Sequence, residues 1–189
     1  FNNGVFVTAL DGKAIASVLH MEQRIGTSYA DRAFMINALR DGKSSIGRPI
    51  IGRVLKAPVI PMIVPIRDSK AHVIGTLVGS INLGMPNFLD RVAENRFSKT
   101  GGYLIVAPQY QLIVTATDKS RIMQTTPPPG VNQMHDKYTQ GFEGYGIATS
   151  SLGTEELSAA KSIPLTGWFI AVTLPTEEAF ASITALRQR

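Results

Sequence analysis

Three side chains in residues 28–42 (SYADRAFMINALRDG) have the types and spacing to do chemistry: Arg32, with Tyr29 three residues before it and Phe34 two after. A guanidinium is a permanently charged fork of donors that grips a carboxylate through paired hydrogen bonds. Between aromatic walls in a dry cleft it anchors a small anion, at ~1.5–3 kcal/mol for each charge-assisted bond. The structural alternative is that Arg32 lays its stem on a sheet and pairs with Asp31 or Asp41.

Covalent and metal chemistry find no such support. Gly42-Lys43-Ser44 resembles the end of a phosphate-binding loop, but the required earlier glycine falls at Asn37, inside a helical pattern. His20, His72 and His135 are far apart and lack metal-ligand spacing. His135-Asp136 reads as a wetted pair in a surface loop. The chain has no cysteine, so disulfides and thiolate catalysis are excluded. No Gly-x-Ser-x-Gly elbow is present, and Trp168 opens a strand as a packing residue. The expectation is a non-enzyme with no cofactor and no metal.

The 189 residues are 44% hydrophobic and 17% charged, a globular composition with room for one domain or two small ones. The net charge of +5 is scattered, without a Lys/Arg run, which argues against nucleic acid as a partner. No stretch reaches the ~18–20 apolar residues of a membrane span. Because the chain opens at Phe1 almost directly on a strand, it reads as a fragment of a larger protein.

Positioning elements follow from periodicity. Residues 5–10 (VFVTAL) and 14–18 alternate as strands around an Asp11-Gly12 turn. Residues 29–39 show helical spacing and stop at Asp41-Gly42. Residues 45–66 are extended but broken by Pro49, Pro58, Pro61 and Pro65, which implies edge or irregular strands. Residues 73–83 form an apolar strand and 86–97 a connecting helix opened by proline. After Thr100-Gly101-Gly102 the pattern restarts. YLIVA and QLIVTA repeat the opening hairpin, and residues 163–165 with 167–174 mirror residues 64–66 with 75–83. The second excursion is loop-like at TTPPPG, with a short helix near 118–124. Residues 176–189 form a closing helix led by Thr176, Glu177 and Glu178. The expected fold is α+β: two tandem modules, 1–96 and 97–189, each a central antiparallel sheet flanked by helices.

The ordered set VFVTALDGKAIAS, ADRAFMINALRDG, PVIPMIVPIRD, VIGTLVGSINL, TGGYLIVAPQYQLIVTA and SIPLTGWFIAVTLPTEEAF resembles the double Cache (tandem PAS-like) sensor domains of bacterial transmembrane receptors. The resemblance covers nearly the whole chain, short of the long helix that usually precedes the first strand. It implies a periplasmic or extracellular ligand sensor, anchored in the membrane through its parent. It also implies a ligand pocket in the first, membrane-distal module and a mainly structural second module, in which the PPPG loop and the glycines around Phe142 suggest a shallow or filled pocket. The closing segment is similar to that of receptors with cyclic di-GMP outputs; histidine kinases and chemoreceptors use the same sensor. Signalling would shift a two-state equilibrium through a weak homodimer.

The family's amino-acid-binding branch opens its pocket with Arg-x-Trp-Tyr, matched here by Arg32-Ala33-Phe34-Met35. Its Tyr and Asp after the helix fall at Ile50 and Gly52, and its last Asp, which holds the ligand's amine, falls at Ser80. The carboxylate anchor is kept and the ammonium anchor is lost. The expected ligand is therefore a small organic acid or similar anion, not a free amino acid, lined by Tyr29, Arg32, Phe34, Arg48, Met62, Ser80 and Asn82. The competing classes are a small α/β hydrolase or transferase, and a protein-binding scaffold.

Overall fold

A computed structural model describes residues 1–18, 22–91 and 98–187. The chain divides into two compact units, Phe1–Asn87 and Phe88–Arg189. The division thus follows Asn87, whereas the sequence places it after Arg96; residues 92–97, half of the expected connecting helix, lie outside the described residues. Immediately before them stands a single 3-10 turn, Phe88–Asp90.

The first unit contains β1 (Val5–Thr8), β2 (Ala14–Ser17), α1 (Ala33–Asp41), β3 (Ser45–Ile46), β4 (Ile50–Ile51), β5 (Pro58–Arg67) and β6 (Val73–Asn82). Its strands form an antiparallel sheet in the order β2-β1-β6-β5-β3, with β4 also on β5. The second unit contains β7 (Gly102–Ala107), β8 (Leu112–Ala116), α2 (Gln133–Thr139), β9 (Gly144–Thr149), β10 (Glu155–Ile163), β11 (Trp168–Pro175) and α3 (Thr176–Arg187). Its antiparallel order is β8-β7-β11-β10-β9, which is the first unit's order strand for strand. The repeat visible in the sequence is therefore a repeat of topology. The α+β, two-module PAS-like fold stands.

Local chemistry explains the departures from expectation. α1 begins at Ala33, not at residue 29, because Tyr29 is held elsewhere: its N–H donates to the Gly12 carbonyl at 2.9 Å. Gly12 permits that approach. Its φ is +76°, and a Cβ there would lie 2.9 Å from the Ala30 backbone. Arg32 becomes the helix N-cap with extended φ/ψ, and its side chain is not used in capping. Gly42 ends the helix in the left-handed conformation.

The prolines of β5 act on one side only. β5 pairs with β6 from Val59 to Arg67, while its outer side carries only the two-residue strands β3 and β4. A strand whose prolines cannot donate tolerates that outer position but not a continuous partner on both sides.

In the second unit the short helix expected near 118–124 is a 3-10 turn, Lys119–Arg121, capped by Asp118. The α-helix lies later, at Gln133–Thr139, where the Asn132 side chain accepts from the His135 N–H. β9 and most of β10 were not legible as strands. β9 is GYGIAT, a glycine-bearing edge strand with Tyr145 79% exposed.

α1 buries Phe34, Met35 and Ala38 against Phe6, Ile63 and Val78 of the sheet. In the second unit Met134 and Tyr138 of α2 pack on Val106, Ala160, Phe169 and Ala171.

Candidate functional site

Each unit has a cavity between its helical excursion and its sheet. The first, of about 40 Å³, is lined by Tyr29, Arg32, Phe34 and Ser80, together with Arg24, Arg53, Phe6, Val78, Pro61, Ile50 and Gly52. Of the residues expected here from sequence, Arg48, Met62 and Asn82 do not line it. Met62 alternates with Pro61 along β5 and so sits on the opposite face of the sheet. Arg48 is exposed in the link between β3 and β4. Asn82 closes the end of β6, accepting from Gly84 N through its side chain and bonding Asn2 through its backbone.

Arg24 and Arg53 were missed, because neither carries a local signal. Arg24 ends a 3-10 turn, Glu22–Arg24, and is only 3% exposed. Its Nη2 donates to the Asn3 carbonyl at 2.8 Å and lies 3.5 Å from Ser80 Oγ, and the guanidinium stands 5.1 Å from the centre of the Phe6 ring. Among the described residues its Nη1 is buried without a hydrogen-bond partner, and so is Arg32 Nε. Burial draws the Arg24 pKa down. Arg53 is satisfied: it donates to the Asp31 carboxylate and to the Ser28 carbonyl, each at 2.6 Å. Asp31 belongs to Arg53, and Asp41 to Arg40 at 2.8 Å, so neither acid takes the structural pairing with Arg32 that the sequence left open.

Tyr29 packs on Phe6 with centroids 4.9 Å apart. Burial raises its hydroxyl pKa, against the pull of Arg24, Arg53 and Arg32, so the hydroxyl stays protonated as a donor. Ser80 accepts from Asn3 Nδ2 at 2.8 Å. No carboxylate is among the lining residues.

The second unit also departs from expectation. Its cavity, about 80 Å³, is the larger of the two and is neither filled nor flattened by the TTPPPG loop. His135 is not a wetted loop residue. It stands on α2, lines the cavity and faces Phe169 at 5.9 Å between ring centres. Tyr103 and Tyr145 do not line it. Among the described residues no group of metal-capable side chains assembles, and no helix is long and apolar enough to cross a membrane.

The chain matches the sequence model of the Cache domain over residues 2–183. It belongs to the Cache domain family. Cache domains are extracytoplasmic sensor modules, not catalysts. No protein of curated function matches the sequence. The fold is shared with the extracellular domain of the putative histidine kinase rpHK1S-Z16, at 11% identity and TM-score 0.73, covering 93% of this Cache domain and 71% of that chain. It is shared with the ligand-binding domain of the Pseudomonas aeruginosa PAO1 amino acid chemoreceptor PctB in complex with L-Arg. There the identity is 18%, the TM-score 0.66, and the coverage 98% of this domain and 70% of that chain. An extracellular ligand binding receptor from Desulfohalobium retbaense matches at 12% identity and TM-score 0.67 over 90% of this domain, which spans only 29% of that receptor's length.

His135 gives the Cache domain a pH signature. Burial lowers its pKa below 6.5, only partly offset by Asp136. The unfolded chain therefore binds a proton at His135 more readily than the native one. Stability is unaffected above about pH 6.5 and falls as pH drops from there toward the folded pKa. Urea midpoints at pH 7.5 and 5.5 are expected to diverge less in His135→Gln than in the wild type; an equal divergence would remove His135 as the cause.

Proposed function

We propose that this Cache domain is the membrane-distal and membrane-proximal pair of sensor modules of a membrane-anchored receptor, and that the first unit's cavity binds a small organic acid. The supporting observation is Arg24: a deeply buried guanidinium that, among the described residues, has no carboxylate beside it and no partner for Nη1, in the same cavity as the Nε of Arg32, which has none either. Burying an uncompensated cation costs several kcal/mol, and an incoming carboxylate compensates it. A cavity of about 40 Å³ has room for on the order of three waters, so a short acid fits best.

The complex of PctB with L-Arg weighs against excluding amino acids altogether. The exclusion is therefore proposed for this cavity alone, where an ammonium would meet Ile50, Gly52 and Ser80 and no carboxylate. The solved relatives named for histidine kinases and chemoreceptors favour those outputs; a cyclic di-GMP output rests only on the closing PTEEAF segment. Two apolar spans flanking this segment in the parent, and a weak dimer, belong to the same reading.

Calorimetric titration with acetate, propionate, lactate, pyruvate and malonate is expected to find at least one binder that Arg32→Ala weakens by at least about tenfold. No binder in the panel, or acid binding untouched by Arg32→Ala, would overturn the proposal.

A further inference from the structure

The second cavity has different walls and asks for a different occupant. Glu156 and Ser158 alternate along β10 and share its inner face, with Thr173 and Ala171 on neighbouring β11. His135 and Tyr138, one helical turn apart on α2, close the cavity from above the sheet, and Phe169 provides an apolar wall. Arg121 reaches in from the Lys119–Arg121 turn.

Several polar side chains of the lining, among them Asn132, Tyr138, Ser150 and Ser158, are satisfied from within. The Tyr138 hydroxyl is 2.9 Å from Ser158 Oγ, and Asn132 caps α2. Elsewhere in the unit Glu143 is taken by Lys161, Asp90 by Lys119, and Glu178 by Thr100 and the Lys99 N–H. Glu156 and Arg121 differ. Among the described residues neither side chain makes a hydrogen bond or an ion pair, although both line one cavity and each lies in the other's field. Burial pushes the Glu156 carboxyl upward and the positive charge of Arg121 draws it back.

We propose that this cavity is a second ligand site, one that takes a small zwitterion with its ammonium on Glu156 and its carboxylate on Arg121. An anion alone would meet Glu156, and a cation alone would meet Arg121. A molecule carrying both charges compensates both walls and adds no net charge to the interior. About 80 Å³ corresponds to on the order of five waters, which sets the ligand at a few heavy atoms between its charges. Leu104, Ile113 and Phe169 favour an apolar body. The first cavity has cations but no carboxylate, so the two sites sort ligands by charge pattern.

The test is an amide NMR titration of the whole chain with glycine, L-alanine, L-proline, β-alanine and 4-aminobutyrate, using propionate and propylamine as single-charge controls. At least one zwitterion is expected to shift the amides of 132–138 and 156–173 saturably. Both controls should bind those positions at least about tenfold more weakly. Glu156→Gln and Arg121→Gln should each weaken the zwitterion by at least about tenfold, in spectra whose dispersion shows an intact fold. The proposal fails if no zwitterion shifts those amides, if either control binds there as tightly, if the shifts fall on residues 24–53 instead, or if both folded variants keep the wild-type affinity.

Discussion

Arg24→Met is expected to lower affinity for the organic acid by ~10²–10³-fold while leaving the unliganded domain as stable as before, or more so. The two halves of that result have one cause. Arg24 is 3% exposed, stacks on Phe6, and has Asn3 and Ser80 as its only hydrogen-bond partners among the described residues. Desolvation of an unpaired guanidinium is a cost borne by the empty domain, and replacing such a charge by an apolar chain of similar volume is often neutral or stabilising. Methionine keeps the stem over the Phe6 ring. The Asn3 carbonyl keeps Ser80 Oγ at 3.4 Å. Bound acid, in contrast, loses two charge-assisted bonds, each near the low end of ~1.5–3 kcal/mol, and a combined loss of about 3–4 kcal/mol is the stated change in affinity. Thermal denaturation with and without ligand, beside calorimetry, reads both quantities. If Arg24→Met destabilised the empty domain by more than about 3 kcal/mol, Arg24 would be a structural strut rather than a ligand anchor.

Met35→Ala is expected to destabilise the first unit by ~2–5 kcal/mol, the range for truncating a fully buried methionine. Met35 has no exposed surface and lies at the centre of the cluster of Phe6, Tyr29, Phe34, Ile63 and Val78. Beneath it Thr8 and Thr76 hydrogen-bond each other at 2.7 Å, each also within reach of the Met35 sulfur at 3.7 and 3.5 Å. Only one of the two hydroxyl protons is used between the threonines, so the sulfur receives the other. Alanine leaves both a void and a buried hydroxyl without an acceptor. Met35→Leu separates these terms: it keeps the volume and removes the acceptor, and is expected to cost under about 1.5 kcal/mol. Urea unfolding of both variants checks this. A loss in Met35→Ala no larger than in Met35→Leu would show that packing at this position is not what holds α1 to the sheet.

The sequence legibly carries the fold because its signals are local and repeated. Alternation in residues 5–8, the apolar run 73–82 and their recurrence at 102–107 and 168–175 specify the β1, β6, β7 and β11 strands that form the middle of each sheet. The recurrence of hairpin, excursion and closing hairpin specifies two copies, and Asp41-Gly42 specifies where α1 stops. Arg32, Tyr29 and Phe34 could be chosen because charge and aromatic rings converge within one short segment that is forced against a sheet.

What sequence periodicity could not supply was the set of groups brought together from afar. Arg24 and Ser80 are 56 residues apart and meet only because β6 lies beside β1 and the 22–24 turn folds over it. Arg53 takes Asp31, and so leaves Arg32 to the cavity, through a contact 22 residues apart. Likewise Arg121, His135, Glu156 and Phe169 look like unrelated surface and core residues along the chain, and only the β10–β11 register and the seat of α2 place them around one space. Local residue preferences determined which segments became strands and helices. Burial then decided which charges lost their water without gaining a partner, and that is a property of the packed fold alone.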